Sequence, residues 1–126
     1  MPGLNAIGLV ASDMAASIRF YRLLGLEVPE TPEEGHIDTF LPNGVRFMLD
    51  SEEVVLSFRP DWTRKTGNQV ALAFECADAS EVDDVYARVT EAGFSGEKEP
   101  WDAVWGQRYA QLHDPDGLPI DLYAPL

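Results

Sequence analysis

The apolar pattern of this chain is written twice. Residues 4–10 are apolar almost throughout, as expected of a strand covered on both faces. Asp13 then supplies an N-cap for a helix over 14–24. Ile18, Tyr21 and Leu24 recur in it at helical spacing, and Phe20 and Leu23 join them on one apolar side. Gly25 stops this helix, since glycine takes the left-handed conformation without strain. An acidic, proline-bearing connection over 29–34 leads to three strand-like runs, 36–41, 45–50 and 54–59. Pro42-Asn43-Gly44 is the turn between the first two, and residues 50–53 form the next. The first half is predicted to be β-α-β-β-β.

The second half repeats that order. Residues 68–76 read as a strand, and Asp78 with Glu81 makes a capping-box-like helix start. Val82, Val85, Tyr86 and Val89 mark one helical face, and Gly93 ends it. Residues 99–104, 107–113 and 118–123 are the closing strands, with Asp114-Pro115-Asp116-Gly117 as the last hairpin turn. Residues 60–67 between the halves, with Trp62, form a loop too short to tether separate domains. A repeat of about 60 residues in so short a chain predicts one α+β domain over 1–126. Module 1 covers about 4–59 and module 2 about 68–124, and the site is expected between the copies.

Composition narrows the function. No apolar run is long enough to cross a bilayer, and Met1-Pro2-Gly3-Leu4-Asn5 lacks the basic and apolar regions of a signal peptide. Cys76 is the single cysteine, which excludes an intramolecular disulfide and fits a reducing, cytoplasmic location. Its apolar surroundings read as strand rather than nucleophile. With 22 acids against 9 bases the net charge is −13, a field that repels phosphate backbones, so nucleic acid is not expected as a partner, and without a long apolar run neither is a membrane. The acid excess has two readings, attraction of cationic small molecules or simple solvation of the surface.

The repeat, the helix ending Phe20-Tyr21-Arg22-Leu23-Leu24-Gly25-Leu26, and the closing Trp105-Gly106, Asp114-Pro115-Asp116-Gly117 and Ile120-Asp121-Leu122 together resemble the vicinal oxygen chelate superfamily. That group includes glyoxalase I, extradiol dioxygenases and the bleomycin-resistance proteins, and the resemblance covers almost the whole chain. It implies two β-α-β-β-β modules curled into an incomplete barrel around a cavity, in a homodimer. It also implies, for metal-dependent members, one ligand from the first and one from the last strand of each module, which would fall at Ala6, Val55, Gln69 and Asp121 here. Only Asp121 offers a charged oxygen, and Gln69 a weak carbonyl. A divalent cation of this kind needs about four to six donors. No metal and no other cofactor is therefore expected; a site borrowing His36 or His113 is the alternative.

Strand alternation then assigns the cavity lining. Ala6, Gly8 and Val10, with Ala71 and Ala73, leave space rather than fill it, while Ser57, Gln69, Asp121 and Tyr123 add polar groups. Phe40, Phe47 and Tyr109 lie on strands that should border the pocket, and Trp62, Trp101 and Trp105 lie in or beside loops. A flat ligand between such rings gains about 0.5–1.5 kcal/mol per stacked pair beyond area burial. The same rings have a second role open to them, packing a dimer interface or covering the barrel mouth. Arg108 is expected to pair with Asp121 or Glu75, as a structural salt bridge.

The expected function is metal-free binding and sequestration of a bulky, partly aromatic natural product, a bleomycin-, mitomycin- or enediyne-like drug, conferring resistance. The alternative is an enzyme of the same fold, a lyase, isomerase, dioxygenase or biosynthetic catalyst. No Ser, Cys or Lys sits in a recognisable nucleophile setting, and Asp121 stands alone as a potential base. A third reading makes the tryptophans assembly contacts only.

Overall fold

The computed structural model describes residues 1–65 and 70–126, in two compact units, Met1–Lys65 and Thr66–Leu126. In the first unit, β1 (Ala6–Ala11) leads into α1 (Met14–Leu23), whose start is capped by the Asp13 carboxylate accepting from Ala16 N at 3.0 Å. A 3-10 turn (Pro32–Glu34) precedes β2 (His36–Phe40) and β3 (Arg46–Ser51). The sheet order is β1-β3-β2, with β1 parallel and β2 antiparallel to β3. α1 buries Met14, Ser17, Ile18, Phe20 and Tyr21. Tyr21 lies 5.0 Å from Phe20 and 4.9 Å from Phe47, centroid to centroid, so Phe47 and its alternate Leu49 point to the helix side of β3. Arg46, Met48 and Asp50 take the other face.

The β2–β3 turn works with one left-handed residue. Gly44 has φ 87°, Gly44 N donates to Leu41 O, and Val45 N donates to the Asn43 side chain.

Residues 54–59 form no strand. They belong to α2 (Glu52–Phe58), started by Ser51, whose hydroxyl accepts from Val54 N at 3.1 Å, with Glu52 and Glu53 in the first turn. A serine cap followed by two acids outweighs the strand preference of Val54 and Val55. The module therefore has three strands instead of four. Its last strand is β3, and the place of a second strand falls to the stretch holding Pro29 and Pro32. Two residues without an N–H, one of them opening the 3-10 turn, do not sustain a ladder there.

The second unit keeps the expected β-α-β-β-β order: β4 (Leu72–Glu75), α3 (Ala79–Glu91), β5 (Gly96–Ala103), β6 (Gln107–His113) and β7 (Pro119–Pro125). The sheet runs β4-β7-β6-β5, with β4 parallel to β7 and the other pairs antiparallel; neither this sheet nor the first closes into a barrel. Asp78 accepts from Glu81 N at 2.8 Å and Glu81 accepts from Ala77 N at 3.0 Å, a reciprocal cap. Val82, Val85 and Val89 of α3 are buried, as are Ala110, Leu112, Ile120 and Leu122 on the sheet face they cover. Asp114 fixes the last turn by accepting from Asp116 N and Leu118 N. The first strand of this unit is shorter than the expected 68–76, and residues 66–69, Gln69 among them, lie outside the described residues. Among the described residues no helix is long and apolar enough to cross a membrane.

Candidate functional site

In the second unit, alternation leaves one sheet face to α3 and the other without a helix. Strand registers arrange that second face in two rows. Trp101 on β5 pairs with Tyr109 on β6, Tyr109 with Tyr123 on β7, and Tyr123 with Glu75 on β4. Beside them Lys98 pairs with Gln111, Gln111 with Asp121, and Asp121 with Ala73. One row is three rings ending in a carboxylate; the other is polar and ends in a methyl group.

The two rows are tied together. Tyr109 donates its hydroxyl to Asp121 Oδ2 at 2.5 Å. Loss of water around the ring, first, and then the hydrogen bond and negative charge of Asp121 push the Tyr109 phenol up to about 12. It therefore stays a neutral donor at any physiological pH. Trp105, in the turn after β5, stands 5.4 Å from Tyr109 and 6.2 Å from Trp101, while Trp101 is 5.5 Å from Tyr109, all with steeply inclined planes. Tyr123 stacks on Tyr109 at 6.4 Å. The Trp105 indole N–H donates to Gln107 Oε1 at 2.9 Å, which fixes the ring although the residue is 59% exposed. Arg108 points to the opposite face and pairs with Asp102 at 2.6 Å and Asp83 at 2.8 Å, in place of the expected Asp121 or Glu75. It braces β5 and α3 behind the site.

Five of the expected ligand-binding residues thus meet on one face: Trp101, Trp105, Tyr109, Asp121 and Tyr123. Of the other five, Gln69 lies outside the described residues and Phe40, Phe47, Ser57 and Trp62 belong to the first unit. Phe47 is in the core of the first unit, because β3 alternation turns it towards Tyr21. Ser57 sits on α2, not a strand, and its hydroxyl donates to Val54 O. Trp62 follows α2, with the Arg64 guanidinium 5.4 Å from its ring. Phe40, at the end of β2, is exposed and borders a cleft of about 260 Å³ with Leu26, Glu27 and Pro42.

Lys98 is the residue that strand parity misses. Counting by twos from Trp101 places it on the opposite face, but the register shifts between them by one residue, next to Pro100 on this edge strand. The bulge returns Lys98 to the side of Trp101, with its ammonium 3.8 Å from the indole centroid. A proline two residues after a lysine in an edge strand is the one signal in the sequence that points there.

A model of the Glyoxalase/Bleomycin resistance protein/Dioxygenase superfamily matches residues 3–122. The chain belongs to that superfamily. Solved structures agree with the fold. A glyoxalase/bleomycin resistance protein/dioxygenase family enzyme from Burkholderia phytofirmans PsJN is 17% identical with a TM-score of 0.84, over 99% of this chain and 100% of that one. A glyoxalase/bleomycin resistance protein/dioxygenase from Nocardioides is 25% identical at TM-score 0.75, over 100% of this chain and 85% of its own. A lactoylglutathione lyase from Agrobacterium tumefaciens is 19% identical at TM-score 0.68, over 97% and 92%. No curated protein matches the sequence.

As a superfamily member the chain can be tested for the metal site of its metal-dependent relatives. Counted back from the capping aspartates Asp13 and Asp78, the counterpart of Ala6 is Ala71 rather than Gln69. The last strand of the first unit is β3, where Met48 pairs with Gly8 as Asp121 pairs with Ala73 in the second. Val55, assigned a ligand position from the sequence, is buried in α2. Two methyl groups, a thioether and one carboxylate do not fit the ion of that family. Among the described residues no group of three or more His, Cys, Asp or Glu side chains is placed to hold a metal.

Cys76 is buried and held in its thiol form. Its thiol is pushed up to about 11, first by burial and then by the charges of Glu81 and Asp78. Near neutral pH its thiolate population should be about 100-fold below that of an ordinary cysteine, and alkylation by iodoacetamide should be slower by a similar factor until denaturant exposes it. Native-state alkylation at the rate of a free thiol would contradict this.

Proposed function

We propose that this superfamily member binds and sequesters a bulky, partly aromatic natural product of the bleomycin, mitomycin or enediyne kind, without a metal, and so confers resistance. The observation that carries the reading is the ring row Trp101–Tyr109–Tyr123, flanked by Trp105 and lying beside Asp121 and Gln111. Flat apolar surface favours a conjugated ligand laid across the rings, and the neighbouring row offers an acceptor and an amide to orient its polar edge. The poor donor set at the family's ligand positions supports binding in place of metal-assisted chemistry.

Titration of intrinsic tryptophan fluorescence with one drug of each kind should give at least one Kd below about 100 µM, roughly −5 kcal/mol. Trp101→Ala should weaken that binding about tenfold or more, and the drug should be recovered chemically unchanged. Failure of all three drugs to bind rejects the reading, and recovery of an altered drug makes the protein an enzyme instead.

A further inference from the structure

We infer that Lys98 selects the ligand of this face, favouring a flat aromatic acid over its neutral isostere. The inference rests on the reading above and specifies the chemistry of the guest. The Lys98 ammonium lies 3.8 Å from the Trp101 centroid, in contact with one face of the indole. A flat ligand laid on that face must push the ammonium aside. A neutral ligand takes the ring and gives the ammonium nothing in return. A ligand with an acidic group at its edge receives the displaced charge.

The surroundings of Lys98 permit that exchange. Among the described residues its ammonium meets the Trp101 ring and no carboxylate. Nearby acids are already engaged: Glu97 pairs with His113 at 3.5 Å, Asp102 with Arg108, and Asp121 accepts from Tyr109. A cation over an exposed ring is weakly held, so a carboxylate is the better partner for it. The face is also polarised. Lys98 lies on the outer strand β5 and Asp121 on β7, two strand spacings or about 10 Å apart. That is roughly the distance over which dissolved salt screens the repulsion between Asp121 and an acid at the β5 border. The bulge before Trp101 is what brings Lys98 to this side of the sheet. The net charge of −13 opposes anions in general, so a preference for an acid has to come from this one local ammonium.

The test compares 2-naphthoate with 2-naphthamide, which has the same shape and no charge, near neutral pH. Chemical-shift titration of the indole N–H signals reads the binding, with the Trp101 signal identified from Trp101→Phe. The acid should bind about fivefold more tightly than the amide. Lys98→Gln, at a solvent-facing position, should weaken the acid and tighten the amide about threefold, which abolishes the preference. Lys98→Arg should keep it. Lys65→Gln takes the same charge from the other unit and should leave the preference unchanged. Equal binding of the two probes, binding of neither, a preference that survives Lys98→Gln, or one that Lys65→Gln also removes overturns the inference. Drugs that bind while the preference is absent leave the sequestration reading standing without this selector. A preference that depends on Lys98 while every drug fails leaves the selector standing and removes drug sequestration.

Discussion

Replacing Tyr21 by alanine should remove about 3–5 kcal/mol of stability from the first unit. Tyr21 is fully buried on α1 between Phe20 and Phe47, and two aromatic contacts near 5 Å converge on it. Truncation loses the transfer free energy of the ring and leaves a cavity that a helix and a sheet strand cannot close together. A domain of this size has about 5–15 kcal/mol in total, so the loss is a large fraction of it. Urea unfolding followed by near-ultraviolet circular dichroism measures the effect. Tyr21→Phe keeps the ring and should cost about 1 kcal/mol. An alanine variant within 1 kcal/mol of the parent would mean that these rings do not hold the unit together.

Tyr109 should lose its proton near pH 12, about 100-fold more weakly acidic than an ordinary phenol. The difference in phenolate absorbance between the parent and Tyr109→Phe isolates this one group. Asp121→Asn should move the transition part of the way back, since it removes the negative charge but leaves the ring out of water. The sign for stability follows from proton counting. Between pH 10 and 12 the unfolded chain has released this proton and the folded chain still holds it. The contribution is complete below pH 10 and is lost as pH rises through 12. A transition near 10 in the folded protein would show that Tyr109 neither sheds water nor donates to Asp121.

The second unit was legible in the sequence because its signals agree: an aspartate cap with a glutamate partner, a valine stripe and two turns with glycine in place. The ring cluster was legible in part. Tyr109, Asp121 and Tyr123 share strand parity, and Trp101 and Trp105 lead into the turn at Gly106. Lys98 was not, because a one-residue bulge inverts the alternation on which such reasoning depends. In the first unit, Phe47 was read onto the open face because periodicity alone does not say which side of β3 a helix will cover. Val54 and Val55 favour a strand because they are β-branched, but Ser51-Glu52-Glu53 is a helix start that outweighs them. The superfamily itself was legible, since it rests on the order of many weak signals along 3–122 rather than on any one of them.

The prolines that deny the first unit a second strand also determine how that unit meets its surroundings. In its sheet β2 is one of the two outer strands, whereas in the other unit the matching strand, β6, is covered by β5. An outer strand is a template on which a further polypeptide can grow into a fibre. β2 is only five residues long and carries His36 at its start and Asp38 at its centre, held by Asp50 and Arg46 on the neighbouring strand. Polar side chains along a short outer strand disfavour such growth, whereas in the other half β6 is shielded by a paired neighbour.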